Sequence, residues 1–385
     1  MEMKSNHDTV DRRQMLQATG CVAAGCGVGG TVLLGSEAWA AHEPAPVRLG
    51  FIGVGSRGST LLRLLAQQAG TEIVAVCDNE AEKLERAKKI ITDAGKPAPV
   101  VFAEWKQLLD HAGVDVVVSA LPVDLHASCY VDVLNAGKDL YAEKPLGLTV
   151  AECDAVEQAA KQSGRIVQVG FQRRADPRFI QPMKLVHDGE IGALLEGRVL
   201  WSNSWGPLTG WFGQRRRSGD WMVEQAVHNW DVLNWATGSL PKRAVGFGRN
   251  DLFREHQADR DVHDYYSGVL EYENGVIVNI VHSWVPPTKF NEEYTRLIGT
   301  TGGIDFNSGT FSYRPDQNRP DRVAFEGPAN VDNNVLAIES FLKAVRDRSQ
   351  PVATLAHARA ALLACLLMRE AVDRGTAVTL KDIGA

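Results

Sequence analysis

Beginning at residue 47, apolar runs typical of buried strands alternate with segments of helical periodicity. The apolar runs occupy residues 47–54, 72–77, 114–121, 139–142 and 165–170. Helical periodicity follows residue 58 and recurs at residues 103–112, 126–136 and 149–163. Strands that alternate with helices in this way favour a parallel sheet, so residues 47–170 are predicted to form one α/β domain.

The second half of the chain, residues 171–385, has a different pattern. It predicts a hairpin turn at Asn274-Gly275 and two closing helices at residues 333–348 and 355–374. Its strands are predicted at residues 193–204, 240–249, 262–273, 275–284 and 292–299. This half therefore predicts a second α/β domain.

Composition fits a globular chain with a small-molecule partner. The chain has 385 residues, of which 44% are hydrophobic and 23% are charged, enough for two domains. Its net charge of -6 argues against a nucleic-acid partner, because binding to phosphates needs an excess of cations. The cysteines beyond the leader are far apart and lack ligand spacing, so neither a disulfide nor a metal site is predicted; they are Cys77, Cys129, Cys153 and Cys365.

Residues 1–40 resemble a twin-arginine export signal. Arg12-Arg13 precedes a small-residue apolar run that ends in Ala38-Trp39-Ala40, and residues 41–46 form a linker that contains proline. A permanent membrane anchor and a lipid anchor at Cys26 are the alternatives, but the many glycines make a weak membrane span. The expectation is an exported, periplasmic protein without stable membrane insertion, folded with its cofactor before export.

A glycine-rich loop follows the first strand directly. The segment Gly53-Val54-Gly55-Ser56-Arg57-Gly58 has the G-x-G-x-x-G pattern between a strand and a helix. Such glycines allow a tight turn and close approach of a pyrophosphate to a helix N-terminus. Asp78, at the end of the second strand, is placed to bind a ribose diol and repel a 2'-phosphate, which favours NAD over NADP. Lys83 and Arg86 follow, and either could reach back.

Further polar residues follow the later strands of the first domain. Pro122 and His126 come after the strand at 114–121, and Glu143 and Lys144 come after the strand at 139–142. Because ligands bind at the carboxyl ends of strands in such a sheet, these residues are expected to line the cofactor cleft. Lys144 is predicted to lie where nicotinamide and substrate meet.

The segments "GFIGVGSRG", "LPVDLHASCYVDVLNAGKDLYAEKPLGLT" and "VQVGFQRRADP" resemble the glucose-fructose oxidoreductase, inositol dehydrogenase and MocA (Gfo/Idh/MocA) family. The resemblance covers roughly residues 47–383. It implies an N-terminal Rossmann dinucleotide-binding domain and a C-terminal α/β domain with an open, mostly antiparallel sheet. Members of this family often assemble through that sheet, so a homodimer or homotetramer is expected.

Residues 218–235, "SGDWMVEQAVHNWDVLNW", are predicted to form one helix with Glu224, His228 and Asp231 on a single face. The resemblance places a catalytic histidine at His228 and an acid, usually aspartate, at Glu224. The alternative is a packed helix whose histidine bonds to a neighbouring acid. Oxidation of a secondary alcohol needs a base and a cation for the developing alkoxide. His228 is the predicted base and Lys144 the predicted cation, while Glu224 orients the imidazole or binds substrate.

Other residues are assigned to the substrate with less specificity. Gln172 and Arg173 follow a strand end, and Asp231 shares the face of His228. Aromatic faces stack on sugar rings, so Trp205 is assigned to substrate binding. Core or interface packing is an equal alternative for all four tryptophans of this region, Trp201, Trp205, Trp211 and Trp221. Arg215-Arg216-Arg217 could bind an anionic group but is more typical of a solvated loop.

Export restricts the reaction, because no free NAD pool exists outside the cytoplasm. A tightly bound cofactor that returns to its starting state at each turnover is expected. The sequence therefore favours an NAD(P)-dependent oxidoreductase acting on a sugar or glycoside. The resemblance also includes an NAD-dependent glycosidase branch, but that branch lacks the lysine found here at Lys144. A dinucleotide-binding sensor without turnover is the remaining alternative.

Overall fold

Two sheets organise the chain, and a computed structural model describes residues 45–325 and 331–385 of it. The proposed export leader, and most of the linker at 41–46, lie outside the described residues. The first sheet has six parallel strands in the order β3-β2-β1-β4-β5-β6. They are β1 (Val47–Ile52), β2 (Thr71–Cys77), β3 (Val100–Phe102), β4 (Val116–Ser119), β5 (Asp139–Ala142) and β6 (Val167–Val169).

Five helices connect these strands. They are α1 (Ser56–Gln67), α2 (Ala81–Asp93), α3 (Trp105–Leu109), α4 (His126–Asn135) and α5 (Val150–Ser163). The central strand β4 is buried at every position, as expected for a parallel strand covered on both faces. This strand order is that of a Rossmann fold and confirms the fold class predicted for the first domain.

The second sheet has nine strands in the order β14-β13-β12-β11-β7-β10-β9-β8-β15. They are β7 (Leu194–Ser202), β8 (Pro241–Arg249), β9 (Tyr265–Tyr272), β10 (Ile277–Ser283), β11 (Glu292–Gly299), β12 (Gly302–Asp305), β13 (Thr310–Tyr313), β14 (Arg322–Val323) and β15 (Val378–Thr379). Neighbouring strands are antiparallel except β7 and β10. The predicted open, mostly antiparallel sheet is therefore confirmed, and Gly275 (φ +85°) forms its hairpin turn.

Six further helices follow β6 in the described part of the chain. They are α6 (Pro177–His187), α7 (Arg215–Ser218), α8 (Trp221–Glu224), α9 (Val227–Thr237), α10 (Asn333–Asp347) and α11 (Leu355–Arg374). One face of the second sheet, here called the inner face, is covered by α9 and α11. Helix α11 also contacts α5 and β6, so it is packed against both domains.

Helix α10 packs on the first sheet although it follows the second in sequence. Ile338, Phe341 and Leu342 belong to the same buried cluster as β1 and α1. The side-chain amide of Gln168 in β6 donates to the carbonyl of Ala337 at 2.7 Å, which fixes the helix to the sheet edge. The chain therefore crosses between the domains more than once, and the strand ends of the first sheet are held against the second domain.

The predicted single helix at residues 218–235 is wrong. The segment instead contains the end of α7, then α8 and α9, with Gln225 and Ala226 between the last two. Gly219 and Asp220 have φ of +78° and +74°, which right-handed helices do not allow, so the chain turns before Trp221. Of the described helices, none is both long and apolar enough to cross a membrane.

Candidate active site

The glycine loop has the geometry that a dinucleotide requires. A Cβ placed on Gly53 would lie 2.5 Å from the carbonyl oxygen of Ala120, and one on Gly58 would lie 2.0 Å from that of Gly53. A Cβ on Gly55 would meet no protein atom within 4 Å. The first and third glycines are thus required by close backbone packing, whereas the middle one borders open space at the N-terminus of α1, where a pyrophosphate would fit.

Asp78 lies beside this loop at the end of β2. One carboxylate oxygen accepts a hydrogen bond from the Val54 amide at 3.0 Å, and the other accepts one from the Glu80 amide at 3.1 Å. Each carboxylate oxygen can accept a second bond, which leaves capacity for a ribose diol. Arg86 reaches back to the same loop, where its guanidinium donates to the Val54 carbonyl at 2.9 Å.

Arg57 connects the glycine loop to the strand end that carries the predicted catalytic lysine. Its Nε donates to Glu143 at 2.6 Å, and Nη1 donates to the side-chain oxygen of Asn334 at 2.7 Å. Nη2 is buried, and the guanidinium also interacts with the buried hydroxyl of Tyr141. Glu143 also accepts from the Lys144 amide at 3.2 Å, so its carboxylate is used within the protein and orients the chain at Lys144. Ser56 is exposed at the start of α1.

His126 shapes the wall of the cleft through its backbone contacts. Its two ring nitrogens lie 2.6 Å from the Pro145 carbonyl oxygen and 2.8 Å from that of Leu121. Burial lowers the pKa of His126, and these two hydrogen bonds oppose the shift. The residue is buried at the start of α4, directly after the turn that Pro122 begins. His126 thus ties the ends of β4 and β5 together.

Lys144 meets Glu224 across the two domains. Its ammonium donates to the Glu224 carboxylate at 2.6 Å and to the Glu224 backbone carbonyl at 2.7 Å. The two side chains are only 13% and 11% exposed, so the pair is shielded from water. An ammonium has three N–H donors, and these bonds use two of them. The third is available for a substrate oxygen.

His228 lies in the first turn of α9, near the edge of the Phe171 ring at 5.9 Å. Its Nδ1 is buried and has no partner in the part of the chain that the structure describes. Burial lowers the pKa of His228 well below its usual value, and the positive charges of Lys144, Arg173 and Arg57 lower it further. The imidazole is therefore neutral at neutral pH, and the same burial and charges weaken it as a base until the charges around it change.

Gln172 and Arg173, in the short turn after β6, complete this cluster. The side-chain oxygen of Gln172 is buried without a partner among the described residues. The Arg173 guanidinium lies 3.8 Å from the Glu293 carboxylate of β11 and above the ring of Phe179. Burial lowers the pKa of Arg173, against the opposing charge of Glu293. Glu293 was not among the residues proposed from sequence, because only the fold brings β11 here.

Asp231 is paired within the protein. Both its oxygens accept from Arg174 Nε, at 2.9 and 3.0 Å, and the side chain is 1% exposed. A carboxylate engaged and buried in this way holds α9 to the turn after β6, and its surroundings do not support the predicted contact with substrate. The arginine run is likewise engaged at two positions, Arg215 with Asp373 and Arg217 with Asp124.

The four tryptophans differ in their surroundings. Trp221 is fully buried, and its ring N–H donates to the His263 carbonyl at 2.6 Å. Trp211 stacks on its neighbour Phe212, and Trp201 is half-buried. Trp205 is 58% exposed, which makes it the member of this set with a broad face open to a ligand.

Asp220 is a functional candidate that the sequence did not reveal. It is fully buried, and φ of +74° with ψ of 154° is a conformation that few residues other than glycine adopt. Its carboxylate accepts from the His263 amide at 3.0 Å and bonds the His263 ring at 2.8 Å. Burial opposes the shift, but the bond and charge of Asp220 raise the pKa of His263. Asp220 begins the short helix that ends at Glu224, so it positions that carboxylate.

The first domain has a parallel sheet and a dinucleotide-binding loop. The second domain brings a carboxylate to Lys144 of the first. These features place the chain in the class of two-domain dinucleotide-binding proteins. Residues 47–171 match the NAD-binding Rossmann domain of the Gfo/Idh/MocA oxidoreductase family, and residues 179–305 match a C-terminal domain of the same family. Together these ranges cover more than half of the chain. The chain therefore belongs to the Gfo/Idh/MocA family of oxidoreductases.

Curated relatives carry two kinds of activity in their names. An alpha-N-acetylgalactosaminidase of Shewanella oneidensis is 30% identical over 212 residues, which cover 49% of this chain and 45% of that protein. An inositol 2-dehydrogenase of Salmonella typhimurium is 32% identical over 193 residues, which cover 49% of this chain and 54% of that protein. The chain thus spans about half the length of these relatives.

A solved structure confirms the fold over a longer range. The crystal structure of myo-inositol 2-dehydrogenase from Lactobacillus plantarum matches with a TM-score of 0.72 at 24% identity. The match covers 87% of this chain and 99% of that one. Both domains and their order are therefore shared.

Proposed function

We propose that this protein oxidises a secondary alcohol of a sugar or glycoside, with a tightly held NAD that is returned to its starting state at each turnover. The observation that carries the proposal is the meeting of Lys144 from the first domain with Glu224 from the second, 2.6 Å apart beside the neutral His228. A sensor needs only the glycine loop, whereas this cluster has the groups that hydride transfer requires.

Each residue of the cluster has a separate task. His228 takes the hydroxyl proton on its imidazole, and the free N–H of Lys144 stabilises the alkoxide that develops. Glu224 holds the ammonium in place through two hydrogen bonds. Bound NAD would supply the hydride acceptor, with the glycine loop, Asp78 and Arg57 as its holding residues.

Several features support NAD rather than NADP and a retained cofactor. Asp78 keeps hydrogen-bonding capacity for a ribose diol beside the glycine loop. The twin-arginine-like leader favours export, where a released cofactor could not be exchanged. We therefore place the protein in the periplasm or another exported location.

The proposal is tested with purified protein carrying its cofactor. Incubation with a panel of sugars and inositols should produce the near-ultraviolet absorption of reduced nicotinamide, and an added acceptor sugar should remove it. His228→Asn should abolish the change while cofactor binding persists. If NAD stays bound and no polyol alters the spectrum, the protein is a dinucleotide-binding sensor and the proposal is wrong.

A second candidate function is glycoside cleavage by transient oxidation. The alignment with an alpha-N-acetylgalactosaminidase favours it. In that scheme oxidation at a ring carbon acidifies the neighbouring C–H, the aglycone is eliminated, water adds, and the hydride returns. Release of phenol from aryl glycosides without an added acceptor would establish the cleavage scheme. Lys144, absent from the glycosidase branch as the resemblance describes it, supports the oxidoreductase instead.

Exposed apolar side chains on the outer face of the second sheet, the face opposite α9 and α11, favour assembly as a homodimer or homotetramer. Alternate positions of three adjacent strands expose large apolar side chains on that face, namely Val245, Phe247, Val269, Ile277 and Val281. Exposed apolar patches of this kind mark association surfaces. Light scattering should give a mass of two or four chains, and Phe247→Asp should reduce it. A monomeric wild-type protein would contradict this assembly.

A further inference from the structure

Trp205 is an exposed aromatic side chain with a fixed orientation. Its ring lies parallel to that of Trp284, with 4.8 Å between centroids and 4° between planes. Trp284 is 1% exposed and contacts Trp201 and Trp221, so the ring beneath Trp205 is anchored in the core. One face of Trp205 is therefore supported by protein and the other is open.

The backbone around Trp205 is also held in place. The side-chain oxygen of Asn203 accepts from the Trp205 amide at 3.1 Å, and the Gly206 amide donates to the Trp284 carbonyl at 3.2 Å. Ser204 lies within hydrogen-bond distance of Thr288, at 3.2 Å, and accepts from Asn291 at 3.3 Å. A ring that is already ordered loses little conformational freedom when a ligand binds.

Strand register places Trp201, whose ring centroid lies 6.2 Å from that of Trp205, near the Arg173–Glu293 pair. Trp201 lies directly opposite Glu293 on β11 and opposite the buried His282 on β10, so all three share the inner face. Glu293 is the partner of Arg173 at 3.8 Å. Arg173 in turn is close enough to His228 to lower its pKa. The tryptophan pair is thus connected through Trp201 to Glu293 and Arg173, one strand away from it.

We propose that Trp205 is the platform of a second-ring subsite. The substrate is then a glycoside: its reacting sugar lies at Lys144 and His228, and its other ring, a pyranose or an aryl aglycone, stacks on the open face of Trp205. A pyranose presents C–H groups to the indole face, which is the geometry that aromatic stacking on sugars uses. Glu293 and Arg173 offer polar contacts to hydroxyls between the two rings. The proposal rests on the sugar oxidoreductase function proposed above.

The test compares substrates with one ring and two. For the protein with bound cofactor, we measure kcat/KM for cofactor reduction by methyl glycosides and by phenyl glycosides and disaccharides of the same reacting sugar. Trp205→Ala should lower kcat/KM for two-ring substrates about tenfold and change that for methyl glycosides less than twofold. Trp205→Phe should restore most of the loss. Val323→Ala, which removes a comparably exposed apolar side chain from the edge strand β14, should leave both kcat/KM values unchanged.

Two results would overturn the subsite. One is an equal decrease in kcat/KM for one-ring and two-ring substrates in Trp205→Ala. The other is an unchanged kcat/KM for both substrate classes in that variant. Should no substrate reduce the cofactor in any variant, the proposed function fails, and calorimetric titration with a disaccharide still decides the subsite. Binding that is weaker in Trp205→Ala than in wild type supports it, and equal binding refutes it.

Discussion

Replacement of Lys144 by methionine separates the structural and the chemical roles of the interdomain pair. The change removes the ammonium and leaves the Glu224 carboxylate, 11% exposed, without its partner. At 2.6 Å and an effective dielectric constant of about 20, the Coulomb attraction is roughly 6 kcal/mol, much of which is offset by desolvation of the two charges. Breaking such a pair from one side costs about 3–5 kcal/mol, because the remaining charge is buried and unpaired.

The effect on catalysis is separate from this loss. A cation that stabilises a developing oxyanion contributes about 10²–10³-fold in kcat. We therefore expect Lys144→Met both to lower the free energy of unfolding and to reduce the rate of cofactor reduction by that factor. In the double variant Lys144→Met/Glu224→Met, the unpaired carboxylate is gone, so stability should return to near the wild-type value. Turnover should not return.

The assays are urea denaturation with saturating NAD and single-turnover reduction of the bound cofactor. Arg48→Met is the matched control, because it breaks an ion pair of similar length, 2.8 Å to Asp115, that is about half exposed. This variant should change neither the free energy of unfolding nor the rate of cofactor reduction appreciably. Recovery of turnover in the double variant would show that Lys144 acts only through Glu224, and full activity of Lys144→Met would refute the oxyanion role.

Three further predictions concern the base and the cofactor. Arg173→Met removes one of the charges that lower the pKa of His228. The acid limb of the pH profile of kcat/KM, which reports protonation of this base, should therefore move to higher pH. If the limb does not move, a group other than His228 is responsible for it. Gly55→Ala should leave the thermal midpoint of the cofactor-free protein unchanged, because the added Cβ meets no protein atom, but it should abolish the rise of the midpoint with NAD. Gly58→Ala should lower the midpoint of the cofactor-free protein, because its Cβ would clash with the Gly53 carbonyl. Calorimetry measures both midpoints. Asp78→Ala should weaken NAD binding and relax discrimination against NADP, and an unchanged ratio of the two dissociation constants would contradict the ribose assignment.

The first domain was predictable because its signals are local. Buried parallel strands are short apolar runs, and the glycine loop stands directly between β1 and α1. The strand at β5 ends at Ala142, so Lys144 could be assigned to the cleft from sequence alone. The contact of Lys144 with Glu224 could not be predicted from a local pattern, because the two residues are 80 positions apart in the chain.

Other parts of the fold lacked a local signal. Strands β14 and β15 are two residues long, too short for alternation to be visible, and they form only because a neighbouring strand offers its edge. The packing of α10 on the first sheet depends on the contact of Phe341 with Tyr141, whose ring centroids lie 5.5 Å apart. Periodicity shows that such a helix has an apolar face but does not indicate which sheet that face covers.

The wrong helix prediction at residues 218–235 shows that the site depends on Asp220, a residue to which the sequence analysis assigned no role. Helical periodicity placed Glu224 and His228 on one continuous face, but Asp220, held by His263, forces the chain to turn and begin a new short helix. That helix ends at Glu224, so its carbonyl lacks an intrahelical partner and accepts from Lys144 at 2.7 Å. The ammonium is thus held by a carboxylate and a helix end together. Because the carbonyl contact does not depend on side-chain length, a glutamate can stand at a position where the resemblance implies aspartate.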